Sequence, residues 1–453
     1  MSNPRLKPIE KIGYGLGDFA SNVVFQSILI LLPAFYTDVF GLAPAVMGTM
    51  FLVVRVLDAV IDPVMGMIAD HTNTRWGKYR PWLLWGAVPF AVLFVLTYTT
   101  PDFSGTGKLV YAYVTYSLLM ILYTIVNIPY CALGAAITSD SQERVSANSY
   151  RFVLATSAGV LIAFFGPKLI AFFGSGNERA GYPYAMTVFG LLAVVAFFGC
   201  FALTKERVAS VAPGKGALGR DLKSLLRNDQ WLVVAMLFLV LLVPIVIRGA
   251  SQVYYMKWFA GRADLVAAFL TTGTVCQMIG AAFASPLTRK IGKVPAYILV
   301  QVIICVGSVA LYYTSASNLV SIFVLFGLVN FFVQMGAPIL FAMAADTVEY
   351  GELKTGRRVS GLVFSGALFA LKLGVAIGGW LVGIILATYG YQGQAEAQTP
   401  EAIHGIVLSI TLFPAIGHLL LIPIVSFYRL NQTRCDEIRA QLDQIAARSE
   451  AER

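Results

Sequence analysis

Phe51 to Met67 reads FLVVRVLDAVIDPVMGM, an apolar run in which Asp58 and Asp62 stand one helical turn apart. A charged side chain at the centre of a bilayer costs about 2.5 to 3.5 kcal/mol even on the lenient insertion scale. Two carboxylates on one face of a membrane helix are therefore too expensive to be incidental. They are expected to face a protein interior or an aqueous cavity, and to be neutralised there by a cation or by protons.

The rest of the chain agrees with a membrane setting. Of 453 residues, 58% are hydrophobic and 13% charged, and the mean hydropathy is +0.74, far from a soluble composition. Apolar runs of about 20 residues, each long enough to cross the hydrocarbon as a helix, fill most of its length. About twelve are expected. They centre within 12–36, 44–68, 81–100, 109–133, 151–174, 182–203, 230–256, 264–287, 294–314, 319–345, 359–388 and 403–428. The fold class is thus all-α and transmembrane.

The net charge of +9 does not point to nucleic acid, because alternate loops hold the basic residues: Arg75, Lys78 and Arg80, then Lys205 to Arg227, then Arg289, Lys290 and Lys293, then Lys354, Arg357 and Arg358. The positive-inside rule places these loops and both termini in the cytoplasm. The opening residues MSNPRLKPIEKIGYG lack the pattern of a cleaved signal peptide, so insertion is expected to rely on the first span. Five scattered cysteines suggest neither a disulfide framework nor a zinc site.

The longest polar interruption falls near the middle of the chain. It divides the sequence into an N-terminal six-helix bundle (1–204), a cytoplasmic central loop (205–228), a C-terminal six-helix bundle (229–430) and a cytoplasmic tail (431–453). The halves echo one another: Gly-Lys precedes the third helix of each, at Gly77-Lys78 and Gly292-Lys293, and Arg-Val-Ser recurs at 144–146 and 358–360. Parallel repeats of this kind mark transporters built from two pseudo-symmetric bundles. Asp140, Glu143 and Arg144 in one half, and Asp346, Glu349 and Arg358 in the other, are expected to act as gating charges on the cytoplasmic side. Solvated loop charge is the bland alternative for each of them.

Within the spans the ionisable residues are few: Asp18, Arg55, Asp58, Asp62, Arg151, Arg248 and Lys372, with Lys168 near an outer end. Asp58 and Asp62 project from the same side of their helix, and Arg55 three residues earlier can neutralise one of them. Two acids and one base leave a negative balance, which suits a sodium ion or a shared proton, although a buried salt-bridge cluster would need the same residues. Asp18 follows Gly13, Gly15 and Gly17, whose spacing allows close approach by a helix or a ligand. In the fourth span Tyr123, Thr124 and Asn127 interrupt the apolar run. Thr124 and Asn127 offer neutral oxygens, and Tyr123 combines an apolar face with a hydroxyl, as sugar recognition requires. Simple helix–helix bonding is the alternative. Lys372, among glycines, is expected to face an interior and balance one of the acids. Arg248 is expected either to lie near the outer surface and bind an acidic sugar or merely to snorkel.

No phosphate loop, HExxH motif or metal-spaced histidines occur, so neither catalysis nor a cofactor is expected. Transport would then draw on an ion gradient or the substrate's own. A channel is disfavoured, because no charged ring or repeated filter segment is evident.

Several motifs together carry a resemblance over nearly the whole chain: IGYGLGD (12–18), YTDVFGL (36–42), DxxxDP at Asp58 to Pro63, RWGKYRPW (75–82), NIPY (127–130), ADTVEYGE (345–352) and the Lys372 region. The sequence resembles the glycoside-pentoside-hexuronide cation symporters of the major facilitator superfamily, the group that includes melibiose permease. That resemblance implies a major facilitator fold of two pseudo-symmetric six-helix bundles, alternating access, and a sugar site beside a cation site. It assigns Asp58 and Asp62, with Thr124 as a neutral ligand, to the cation; Asp18 and Arg151 to sugar hydroxyls; and Lys372 to the position between the two.

Departures from the pattern refine the expectation. Ile61 stands where melibiose permease has an asparagine that helps sodium, which tilts the coupling ion towards a proton over sodium. Asn127 replaces an aspartate that helps hold galactoside, and Cys131 and Pro338 replace two site tryptophans, which argues against an α-galactoside. Hexuronides, β-glycosides, xylosides and small oligosaccharides stay open. The expected protein is a non-enzymatic sugar–cation symporter of a bacterial cytoplasmic membrane, with a small sugar or glycoside and the bilayer as partners and no nucleic acid. The sequence sets neither the sugar nor the oligomeric state. Alternatives are a cation-coupled transporter of a non-sugar amphiphile such as a lysolipid, and a sugar receptor of the same fold that does not transport.

Overall fold

The structure, a computed structural model, describes residues 6–138, 141–207, 223–356 and 360–451. These form helices joined by short loops, with an isolated β-bridge between Thr74 and Gly77. In chain order they are α1 (Pro8–Ile30), α2 (Pro44–His71), α3 (Arg80–Thr97), α4 (Gly105–Ala136), α5 (Ser141–Gly174), α6 (Glu178–Leu203), α7 (Asp229–Tyr254), α8 (Val266–Ile291), α9 (Lys293–Tyr312), α10 (Leu319–Thr355), α11 (Ser360–Thr388), α12 (Pro400–Ile410), α13 (Leu412–Ser426) and α14 (Gln432–Ala451). Among the described residues ten helical stretches are long and apolar enough to cross a membrane, or eleven when the bent pair Pro8–Ile30 and Leu32–Val39 counts as one crossing. The 28-residue α2, which carries Arg55, Asp58 and Asp62, is not among those stretches. The tail, expected only as a cytoplasmic segment, forms α14.

The helices are apolar on opposite faces, as a lipid-facing bundle requires. On α6, Leu191, Val195 and Phe198 are exposed while Phe189, Ala193, Phe197 and Cys200 are buried. Prolines mark the main breaks. Pro33 has no N–H to offer the carbonyl of Leu29, and α1 is bent there by 49° from the segment that follows. Pro414 likewise deprives the Ile410 carbonyl of its helical donor, and α12 gives way to α13 at Thr411.

Two compact units emerge. The first comprises Met1–Ala212, Ala250–Thr271 and Val382–Ile403, and the second Pro213–Gly249, Thr272–Leu381 and His404–Arg453. In the first unit, α1 packs through the three glycines singled out by the sequence, each against a different neighbour. A side chain at Gly13 would strike Leu203 on α6, one at Gly15 would meet Tyr150 and Leu154 on α5, and one at Gly17 would run into the Tyr130 ring on α4. Close helix packing is thus what the glycines serve.

The loop before α3 is fixed by a remote carboxylate. Glu206 accepts from the backbone N–H groups of Lys78, Tyr79 and Arg80 at 2.8, 2.8 and 2.9 Å, satisfying donors that a helix start leaves orphaned. Gly77, with φ of 112°, is required because a side chain there would meet that same carboxylate. In the second unit Asp346 pairs with Lys293 at 2.5 Å and accepts from Tyr428 at 2.8 Å. Burial, and then the Asp346 charge, holds the Tyr428 phenol well above the ordinary tyrosine pKa.

After α1 and again after α7 the chain makes a π-helical turn, at Phe35–Val39 and Tyr255–Phe259. The two turns match bond for bond. Phe40 N–H donates to Phe35 and Leu42 N–H to Tyr36; Ala260 N–H donates to Tyr255 and Arg262 N–H to Met256. Each is followed by a left-handed glycine, Gly41 or Gly261. Both turns lie in the first unit, where they deliver a polar cluster. Asp38 meets Lys257 at 3.1 Å and accepts from Tyr391 at 2.7 Å and Thr37 at 2.8 Å, while the Thr37 and Tyr254 hydroxyls lie 2.8 Å apart. The Asp38 side chain is 6% exposed and that of Lys257 is 30% exposed. Removing the better-solvated partner leaves the carboxylate buried, so Lys257→Met is expected to lower the unfolding temperature more than Asp38→Asn does. Thermal melts of the two purified variants check this; the reverse order would contradict the reading.

Candidate functional site

The candidate cation site rests on α2 and α4. Asp58 is buried and Asp62 half-buried, and their spacing on α2 turns both carboxylates towards α4. The Thr124 hydroxyl lies 2.5 Å from Asp58 Oδ1 and 3.1 Å from Asp62 Oδ1. A hydroxyl carries one proton, so it can donate to only one of these oxygens. The other approach brings two oxygens together without a hydrogen between them unless Asp62 itself is protonated or a cation sits among them. Arg55 Nη1 stands 3.9 Å from Asp58 Oδ2 and lies over the Phe25 ring at 5.3 Å. Arg55 thus stands as a basic partner of Asp58, three residues away on the same helix.

The candidate substrate residues lie on α1, α4 and α5. Arg151 Nε donates to Asp18 Oδ2 at 2.8 Å, and the guanidinium covers the Tyr130 ring at 5.2 Å. Asn22 donates to Asp18 Oδ1 at 3.3 Å. Tyr130 is itself held by donating to the Tyr14 carbonyl at 2.9 Å and by stacking on Tyr14 at 5.0 Å. Tyr123 stacks on Phe25 at 5.7 Å, the ring that Arg55 also covers, so the aromatic contact runs from the substrate residues to the cation residues. Thr124, Asn127 and Tyr130 recur every three residues along α4 and climb about 9 Å from the cation carboxylates to the Asp18–Arg151 pair. Asn127 is half-buried on that track.

Lys372 is half-buried on α11 in the second unit. Asp140 and Arg358 lie outside the described residues, as does the Arg144 side chain. Asp346 is bound to Lys293 and Tyr428 within the second unit. Arg248 neither snorkels nor lines an open surface: it is 2% exposed and donates from Nε to the Ile410 carbonyl at 3.1 Å, supplying the hydrogen that Pro414 cannot. The sequence reading overlooked Asp38 and Lys257, which sit at span ends. Their signal was the shared placement of an aromatic run and a glycine after the first helix of each half.

A helical chain with ten or eleven membrane-length stretches among its described residues, a pair of acids sharing a threonine and an adjacent ion-paired polar track is built as a secondary transporter. The MFS/sugar transport protein family matches residues 13–432, and the chain belongs to it. It is 41% identical over 445 residues to the inner membrane symporter YicJ of Escherichia coli strain K12, covering 98% of this chain and 96% of the relative. It is 42% identical over 434 residues to the putative glycoside/cation symporter YagG of the same strain, covering 96% and 94%. In three dimensions it resembles the inward-facing, unoccupied crystal structure of a bacterial homologue of the human lysosomal transporter spinster, with a TM-score of 0.69 at 13% identity over 93% of this chain and 96% of the other. That likeness establishes the major facilitator fold.

Proposed function

We propose that the protein takes up a glycoside, pentoside or hexuronide together with a cation across a bacterial inner membrane by alternating access, with both termini in the cytoplasm. The observation that carries the reading is the convergence of Asp58, Asp62 and Thr124 in one site, one helical track away from the Asp18–Arg151 pair. The names of the symporter relatives support the substrate class and the coupling. Occupancy by a cation removes the negative balance at Asp58 and Asp62. That change reaches the sugar residues through α4 and through the Tyr123–Phe25–Arg55 contact, and it biases the two access states through their different affinities for the ligands.

A proton is the favoured ion over sodium. Ile61 brings no side-chain oxygen beside Asp62, and sodium needs several oxygens whereas a proton needs only a carboxylate. Tyr123, Asn127, Asp18 and Arg151 offer hydroxyl recognition, and Lys372 is assigned to the substrate by the family resemblance. Asp140, Arg144, Asp346 and Arg358 serve gating.

Uptake of a labelled panel of neutral glycosides, xylosides and hexuronides into right-side-out vesicles, under an imposed proton or sodium gradient, tests the proposal. Accumulation driven by one gradient supports it and names the ion; indifference to both gradients overturns it. Thr124→Val keeps the volume and removes the shared hydroxyl. It is expected to raise the ion concentration needed for half-maximal uptake about tenfold, the equivalent of about 1.4 kcal/mol. An unchanged ion dependence would remove Thr124 from the site.

A further inference from the structure

We propose that Arg248 and Ser308, inside the second unit, hold a single small monovalent anion such as chloride as a permanent structural ligand. Arg248 is 2% exposed and Ser308 fully buried. The guanidinium is fixed on two edges: Nε donates to the Ile410 carbonyl at 3.1 Å and Nη2 to Ser308 Oγ at 2.7 Å. Its third nitrogen, Nη1, is buried without a hydrogen-bond partner among the described residues. Ser308 accepts from Nη2, which leaves its own hydroxyl proton to donate.

The charge is as unmet as the hydrogen bond. Among the described residues no carboxylate pairs with Arg248, and the ionisable groups that feel its charge include the Cys305 thiol and the buried His418. His418 Nδ1 is engaged with Gln301 Oε1 at 2.8 Å, while His418 Nε2 and Gln301 Nε2 lack partners. With Gln301 Oε1 accepting from Nδ1–H, His418 Nε2 is an acceptor and Gln301 Nε2 a donor, whereas at Arg248 itself the open groups are Nη1 and the Ser308 hydroxyl, both donors. A water would satisfy Nη1 but leave an uncompensated cation in a low-dielectric interior, at several kcal/mol. A small anion meets the charge and the open N–H together. Because Arg248 also replaces the donor missing at Pro414, the anion would steady the α12–α13 break, and the site is separate from the sugar and cation residues.

The test uses the purified full-length protein in detergent at constant ionic strength, with chloride exchanged for gluconate. The unfolding temperature of the wild type should rise by several degrees and saturate as chloride is added, with bromide equivalent to chloride. In Arg248→Gln the half-saturating chloride concentration should increase at least about tenfold, or the response should vanish. A wild-type melt that ignores chloride overturns the proposal, as does an identical response in Arg248→Gln. Should the variant fail to fold, bromide-soaked wild-type crystals decide the matter. An anomalous peak beside Arg248 Nη1 supports the site, and bromide found only on the surface refutes it.

Discussion

Asp62→Asn is expected to abolish gradient-driven accumulation, by about 100-fold or more, equivalent to about 2.8 kcal/mol of lost coupling. Asparagine resembles the protonated acid in shape but neither binds nor releases a proton, so the carboxylate pair is held in its neutralised form. Asp62 is half-buried and within 3.1 Å of Thr124. An amide fits that space and can still hydrogen-bond the threonine, so the variant should fold. It should also continue to exchange labelled for unlabelled substrate across the membrane, because exchange needs only the loaded form. Concentrative uptake with a gradient and counterflow without one, measured on the same vesicles, separate the two effects. Accumulation that persists at wild-type level would place the coupling carboxylate elsewhere.

The second large effect concerns the Asp18–Arg151 pair. The Asp18 side chain is 9% exposed and that of Arg151 24% exposed. Arg151→Gln therefore strands a carboxylate that water barely reaches, and should destabilise the protein by about 3 to 5 kcal/mol. Asp18→Asn leaves the more accessible guanidinium behind, still resting on the Tyr130 ring, and should do less damage. The double variant, with neither charge, should recover most of the stability. Transport should be lost in all three, because sugar hydroxyls would lose the charged acceptor, the charged donor or both. Melting temperatures and uptake rates of the four proteins form a double-mutant cycle. A double variant that transports normally would demote the pair to a packing element.

The parts of this protein that could be read in the sequence are those governed by local periodicity. Asp58 and Asp62 share a face because they are four residues apart, and no tertiary information is needed to see it. The glycines of α1 could be read as points of close approach, but not that Gly13, Gly15 and Gly17 each address a different helix, since that depends on the order of packing around α1. Thr124 entered the cation site only by resemblance; its distance to Asp58, 66 residues away in sequence, is set by how α2 and α4 meet. Arg248 was ambiguous because the carbonyl it satisfies lies 162 residues away. Lys293 and Asp346 both looked like loop charges, although the fold pairs them directly. Asp38 and Lys257 were missed for a different reason: at the end of an apolar run a charge is unremarkable, and only the π turns bring these two together.

Those turns have a mechanical meaning beyond the contacts they create. A π turn accommodates one residue more than an α turn of the same height. Each of the two matching segments therefore carries a residue of slack, held in place by the left-handed glycine that closes it. Winding that slack back into α pitch would turn everything beyond it by about 100°, and would carry Asp38 or Lys257 away from its partner without breaking a helix. The Asp38–Lys257 ion pair and the Tyr391 hydrogen bond therefore oppose any such change of register at two matching points of the chain.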